Sequence, residues 1–408
     1  LRIIHFQQHF STPEGATFTR SYEMMRRLVE RGHEVTVVCG SFAAGSTGLE
    51  SPFIKGFREG IVDGIRVVEF DLSYSNKLSF VRRTIMFFRY ALRSIVVACT
   101  RKSDCVIVTS PPLTAALPGI AARFLRGTPF LLEVYDLWPE FPKRMGVIKN
   151  PLILAMAGWL EWVSYHSADR FVAIAPGIEE GIVRRGIDRE RITMITNGCD
   201  FGVFEHLPEK TPLPIEIEGV SASDFIAVYT GTHGIANGLD VILDVAAEIK
   251  RRGRGDIKFV LAGEGMLKPV LQKRALAEEL PVYFLDLMPK AKLAAFLSAV
   301  DVGLVLLSDF PVFYNSAAPT KFTDYISAGL PVIMNYPGWL ADKIRSSESG
   351  LIVAPGDIAA FADALIVLAD NPDRLREIGF NARALAESEF DRDMLAKRFV
   401  AVVEGMQR

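Results

Sequence analysis

Short apolar runs rich in β-branched residues alternate with helix-patterned stretches along the whole chain, and this alternation constrains the fold more than any other feature. Runs such as Cys105 to Thr109 and Val302 to Leu306 are almost wholly apolar, as expected of strands covered on both sides of a parallel sheet. A strand, a helix and a second strand make the repeating unit of doubly wound α/β folds. Leu1 to Phe6 opens the first unit and leads through a polar loop, Gln7 to Gly15, into a helix with Tyr22, Met25 and Leu28 on one face. Arg31-Gly32-His33 stops that helix, and Glu34 to Cys39 returns as a strand. Asp63-Gly64, between Ile61-Val62 and Ile65 to Phe70, predicts a hairpin. Further strands are expected at Pro129 to Val134 and Arg170 to Ile174, with helices at Thr114 to Leu125, Pro151 to His166 and near Ile178 to Arg185. A second series starts at Phe225 to Tyr229, continues through strands at Lys258 to Ala262 and Val282 to Leu285, and ends in helices from Ile358 onward.

At 408 residues the chain exceeds one ordinary core, so two domains of about 200 residues each are expected. Phe204 to Asp224, rich in Pro, Glu and Gly and without periodicity, reads as their connection. Half of the residues are hydrophobic and the net charge is −2, which gives no drive toward nucleic acid. Cys39, Cys99, Cys105 and Cys199 lack metal-like or disulfide-like spacing, pointing to a reducing compartment. Every long apolar run is broken by charge or proline, and no signal-peptide pattern precedes the first strand, so a cytoplasmic protein is expected.

Chemistry in open parallel sheets gathers beyond the carboxyl ends of the strands. The first loop carries only Gly15, not Gly-x-Gly-x-x-Gly, which argues against a nicotinamide or flavin dinucleotide. The strand ending at Val134 runs into Tyr135-Asp136-Leu137-Trp138-Pro139-Glu140. Asp136 there suits either acid/base work or a turn and capping role. In the second series a strand ends in Gly231-Thr-His-Gly-Ile-Ala-Asn-Gly238, a loop that suits an anion approaching the next helix or a plain strand-to-helix turn. Lys77 to Lys102 predicts a basic, aromatic-rich amphipathic helix. It could lie on an anionic membrane, at about 1 kcal/mol per basic residue, or pack on the sheet with a solvated basic face. Asp391-Arg392-Asp393 matches Asp-x-Asp by letter, but its acids suit the first turn of the last helix better than a metal.

The stretch Asn315 to Ile333 predicts a loop, a helix with Pro319 at its first position and Gly329 at its C-terminal cap, and a buried strand. Phe322, Tyr325 and Ile326 fall on one face, with Thr320, Lys321 and Asp324 roughly opposite. Two readings fit: an anion seat at the helix start, or a surface helix with a Lys321–Asp324 pair worth about 0.2–0.5 kcal/mol.

Taken together, several segments resemble the family 4 glycosyltransferases of the GT-B fold over nearly the whole length. They are Ile195-Thr-Asn-Gly-Cys-Asp200, Val228-Tyr-Thr-Gly231, Val260-Leu-Ala-Gly-Glu-Gly265, Ala299-Val-Asp-Val-Gly-Leu304 and Pro319-Thr-Lys-Phe-Thr-Asp-Tyr-Ile-Ser-Ala-Gly-Leu-Pro-Val-Ile333. Asp136-Leu-Trp-Pro-Glu140 and Pro-Thr-Lys-x-x-Asp-Tyr resemble bacterial O-antigen and capsule transferases of the L-fucosamine type. The resemblance implies two Rossmann-like domains facing a cleft, an acceptor domain over 1–205, a nucleotide-sugar domain over 206–390, and a final helix, 391–408, returning to the first.

It further implies a UDP-linked N-acetylated sugar as co-substrate, a polyprenyl-pyrophosphate-linked glycan as acceptor, retention of configuration, and no metal or other cofactor. Where the family carries two glutamates, this sequence has Ser316 and Asp324, and Asp324 takes the ribose role. The family's Arg and Lys on the pyrophosphate fall near the uncharged Thr232 and Asn237. Lys321 and the amides of Ala317, Ala318 and Thr320 are expected to replace them, with His233 as a further donor. Gly15, Gly231, Gly263 and Leu287 complete the donor site, Glu14 and Glu140 the acceptor side, and Asp136 orients the acceptor. A peripheral place on the inner membrane face follows, through residues 77–102. A non-catalytic sugar-nucleotide-binding subunit and a GT-B nucleotide-sugar 2-epimerase are the alternatives.

Overall fold

The computed structural model describes residues 1–74, 78–204 and 210–406, with the backbone alone at 73 and 80. Lys77 of the expected basic helix, the side chain of Phe80, and residues 205–209 of the expected connection therefore lie outside the described residues. The chain divides into two compact units, Leu1–Thr196 with Asp393–Arg408, and Asn197–Arg392. The division comes before the expected boundary at 205. Its cause is local: the amide of Asn197 donates to the Ala318 carbonyl at 2.6 Å, and the Cys199 N–H to that of Phe390 at 2.7 Å.

The first unit holds β1 (Arg2–Phe6), β2 (Glu34–Phe42), β3 (Phe57–Val62), β4 (Ile65–Tyr74), β5 (Cys105–Ser110), β6 (Phe130–Val134), β7 (Arg170–Ala173) and β8 (Ile192–Met194). Their order is β3-β4-β2-β1-β5-β6-β7-β8. The pairs are parallel except the hairpin β3–β4, which turns at Asp63 and Gly64 with φ of 48° and 80°, as Asp-Gly predicts. The helices are α1 (Arg20–Glu30), α2 (Phe80–Thr100), α3 (Ala116–Arg126), α4 (Glu140–Arg144), α5 (Pro151–Ser167) and α6 (Pro176–Val183). Right-handed crossovers put α1 on one face of the sheet and α2, α3 and α5 on the other, because β1 to β2 and β4 to β7 run in opposite directions across it. Over the α1 face packs the closing helix, Arg392–Glu404, with Leu395, Phe399 and Val403 in one core with Met25 and Leu28.

The second unit is an all-parallel sheet of β9 (Phe225–Thr230), β10 (Ile257–Ala262), β11 (Val282–Leu285), β12 (Val302–Val305), β13 (Val332–Met334) and β14 (Gly350–Ile352). The order β11-β10-β9-β12-β13-β14 reverses direction between β9 and β12, which makes that point the natural ligand crevice. Its helices are α7 (Asp240–Arg251), α8 (Lys268–Ala277), α9 (Lys290–Leu297), α10 (Thr320–Ser327), α11 (Trp339–Ser347), α12 (Ile358–Ala369) and α13 (Pro372–Glu389). Pro319 stands one position before the expected place, as the extended N-cap of α10, while Gly329 follows the helix with φ of 71°. Phe322, Tyr325 and Ile326 are fully buried, each contributing roughly 1.5–3 kcal/mol.

Candidate functional site

The position of α10 is set by Tyr325. Its ring lies flat against β12, where a Cβ on Gly303 would come within 2.3 Å of the ring. Its hydroxyl accepts from the Thr230 N–H at 2.8 Å, at the carboxyl end of β9. With α10 pinned there, Lys321 is delivered one turn earlier onto the loop that follows β9. The Lys321 ammonium donates to the Tyr229 hydroxyl at 3.2 Å and the Asn237 amide oxygen at 3.4 Å, and lies 4.5 Å over the Tyr229 ring. Its stem runs along Gly231, where a Cβ would stand 3.3 Å away. Burial without a carboxylate partner pushes the Lys321 pKa down to about 8, as desolvation does to an ammonium.

This arrangement corrects the local pairing expected from spacing. Lys321 does not meet Asp324; the Asp324 carboxylate is buried and paired instead with Lys290 of α9 at 3.0 Å. Lys290 also lies 5.3 Å over the Phe204 ring. Of the amides expected at the anion seat, that of Ala317 is already spent, donating to the Phe313 carbonyl at 2.8 Å. Those of Ala318, Thr320 and Lys321 have no backbone acceptor among the described residues, and they sit at the positive end of α10. Ser316 is buried just ahead of them.

The loops after β9 and β10 touch backbone to backbone. A Cβ on Gly263 would fall 1.9 Å from the Gly231 carbonyl oxygen, so only glycine allows that approach, and both glycines adopt positive φ. Thr232 caps this loop through its carbonyl, which accepts from Tyr229 and Asn237 at 2.9 Å. The His233 ring is buried beside Tyr229 and Phe284, with neither ring nitrogen hydrogen-bonded among the described residues, and burial lowers its pKa to about 4. Leu287 is exposed beyond β11, next to Asp286, whose carboxylate takes Lys268 at 2.8 Å.

In the first unit the structure places Asp136 and Glu140 where β6 runs into α4. The helix is capped by Pro139 without a side-chain bond, so Asp136 does not serve as its cap. The Asp136 carboxyl has no hydrogen-bond partner among the described residues, and burial pushes its pKa up to about 6. Glu14 is exposed on the loop after β1, accepting from Ser46 Oγ at 3.3 Å. Gly15 serves its own chain: a Cβ there would strike Ser11 Oγ at 2.2 Å and the Ser46 nitrogen at 2.7 Å. Gly15 therefore lets the loop after β1 lie close against the loop of Ser46.

Sequence reasoning missed the polar core behind this edge. His5, Thr109, Glu133 and Arg20 form a buried chain of contacts of 2.8, 2.7 and 3.4 Å in turn. Arg20 continues to the carbonyls of Ile195 and Thr196. Buried Gln7 and Gln8 add side-chain polar atoms with no hydrogen-bond partner among the described residues. A run of polar residues within Gln7 to Ser21 was the available signal. Lys290 was missed because α9 is a short helix with no marked periodicity. Asp391-Arg392-Asp393 does not face a metal: Arg392 pairs with Asp200 at 2.7 Å and Asp393 with Arg27.

Residues 15–198 match the glycosyl transferase 4-like domain and residues 224–371 the glycosyl transferases group 1 domain. The chain therefore carries the two domains of a glycosyltransferase. Among curated relatives, a D-inositol 3-phosphate glycosyltransferase of Nocardia farcinica is 28% identical over 54% of this chain and 49% of its own length. The chain thus spans about half of that relative. A probable glycosyltransferase of Pseudomonas aeruginosa, WbjE, is 24% identical over 83% of this chain and 84% of its own. Among solved structures, Anabaena HepE in complex with UDP-glucose superposes with a TM-score of 0.70 at 16% identity, covering 99% of each chain. That likeness places this glycosyltransferase among two-sheet proteins of the GT-B type.

Proposed function

We propose that this glycosyltransferase moves an N-acetylated sugar from a UDP-sugar to a lipid-linked glycan of bacterial surface polysaccharide, with retention at the anomeric carbon. The observation that carries the reading is the Lys321 ammonium, without a carboxylate partner among the described residues and set beside the unspent amides at the start of α10. A cation held so, without a protein anion, suits a diphosphate. As the bond between the anomeric carbon and the β-phosphate oxygen breaks, its electron pair stays on UDP, and Lys321 with the amides of Ala318 and Thr320 stabilises the charge that develops. The acceptor hydroxyl attacks from the leaving-group face and its proton passes to a phosphate oxygen. Asp136, raised in pKa and partnerless, orients that hydroxyl. Asp324 offers the ribose hydroxyls the oxygen that Lys290 leaves. The HepE complex supports UDP as the nucleotide, and the likeness of Asp136 to Glu140 to O-antigen transferases supports the acceptor class. The work would be done on the cytoplasmic face of the membrane, with α2 toward anionic lipid.

Incubation with a panel of UDP-sugars and a polyprenyl-pyrophosphate glycan tests this. Sugar transfer with retained configuration is the expected outcome. Isomerisation of donor without acceptor would instead identify an epimerase, and UDP-sugar binding without turnover a binding subunit.

A further inference from the structure

Among the described residues no helix is long and apolar enough to cross a membrane, yet one helix layer of the first unit exposes large apolar side chains on its outer side. Helix α2 packs on α3 and α3 on α5, so the three present one continuous surface. On α2, Val81, Ile85, Phe88, Leu92 and Val96 are all exposed, and their spacing sets them in a single stripe. On α5, Leu152, Met156, Trp159 and Trp162 form a second stripe, with Trp159 66% exposed. Phe124 and Leu125 at the end of α3 lie between. A contiguous apolar surface of this kind marks an interaction site.

Charge decides what covers it. Helices α2, α3 and α5 contain Arg82, Arg83, Arg89, Arg93, Arg123 and Arg126 but a single carboxylate, Glu161, which is buried against Arg185 at 2.9 Å. Arg82 and Arg89 are exposed along one edge of the α2 stripe, and exposed Lys143, Arg144 and Lys149 precede α5. A second copy docking by the same face would set these cations against one another. An anionic bilayer instead takes apolar side chains into its acyl boundary, tryptophan rings at the headgroup level and arginine heads among the phosphates.

We infer that the outer surface of α2, α3 and α5 seats this protein on an anionic lipid bilayer, with Trp159 and Trp162 entering the interface. The inference extends the membrane contact of the reading above from α2 across α3 to α5, and rests on that membrane contact, not on sugar transfer.

Flotation with phosphatidylglycerol-containing vesicles tests it, with UDP-induced thermal stabilisation measured in parallel. Wild type should float, and less so in high salt. Trp159→Glu with Trp162→Glu should reduce the bound fraction at least tenfold while the UDP-induced shift persists. Trp159→Phe with Trp162→Phe keeps the apolar face, so it should still float but lose most of the fluorescence quenching by brominated lipid that wild type shows. Failure of wild type to float, unchanged flotation of the glutamate variant, or quenching that survives the phenylalanine variant would overturn the proposal. So would a concentration-dependent dimer abolished by the glutamate pair, which would assign the face to a second copy. Loss of the UDP shift in wild type would remove the donor reading and leave the lipid face standing.

Discussion

The carboxyl edges of the two sheets are built from opposite materials. In the second unit the edge is cationic and tied down: Lys321 is held on Tyr229 and Asn237, α10 is pinned by Tyr325, and the loops of Gly231 and Gly263 meet with no side chain between them. In the first unit the edge is acidic and open-ended: Asp136 has no hydrogen-bond partner among the described residues, and Gln7 and Gln8 keep buried polar atoms unsatisfied there. A charged diphosphate has few conformations to offer and rewards a preformed seat. A sugar hydroxyl is neutral and reads hydrogen-bond partners, so the other edge leaves bonds to be made. On the function proposed above, leaving-group stabilisation falls to the second unit and acceptor recognition to the first.

The sharpest way to break this division is to remove the cation. Lys321→Ala should lower kcat/KM by at least a hundredfold, about 2.7 kcal/mol as for the loss of one oxyanion donor. A loss below threefold, measured by steady-state UDP release, would take Lys321 out of the site. On the other edge, Asp136→Asn should lower kcat by about 10- to 100-fold while UDP affinity by calorimetry stays the same. Weakened UDP binding in that variant would erase the proposed separation of roles.

The smallest effect is in the pH profile, and its signs oppose. Asp136 must be ionised to polarise a hydroxyl, so kcat/KM rises as pH passes about 6. Lys321 must keep its proton, so activity falls as pH passes about 8. Asp136→Asn should abolish the acid limb alone. Lys321→Arg should move the alkaline limb out of range, since guanidinium stays charged.

Strands and crossover helices were legible because a strand buried on both faces can hardly carry polar residues, and Asp63-Gly64 supports few turns other than a hairpin. Short α4, α9 and α11 were not, since a helix of five to nine residues gives too few turns for a period. The partner of Lys321 was hidden for a different reason. Neighbour rules along a helix name Asp324, whereas the choice is made where Tyr325 meets Gly303 and Thr230, both distant in sequence, which turns the helix so that the lysine meets β9. Loop composition does not report that Gly265 brings a second loop against the His233 backbone. Nor can composition say which side of the apolar α5 lacks a neighbour.

The buried ammonium of Lys321 has one more consequence, in reactivity rather than catalysis. Near pH 8 about half of it is a free amine, whereas lysines at their ordinary value of about 10.4 are almost wholly protonated. The same desolvation that readies the side chain for a diphosphate therefore makes it a preferred nucleophile for a small acylating reagent. A bound anion would restore the proton and silence it. If Lys321 holds the diphosphate as proposed, occupancy of that seat is readable in the chemical reactivity of one amine.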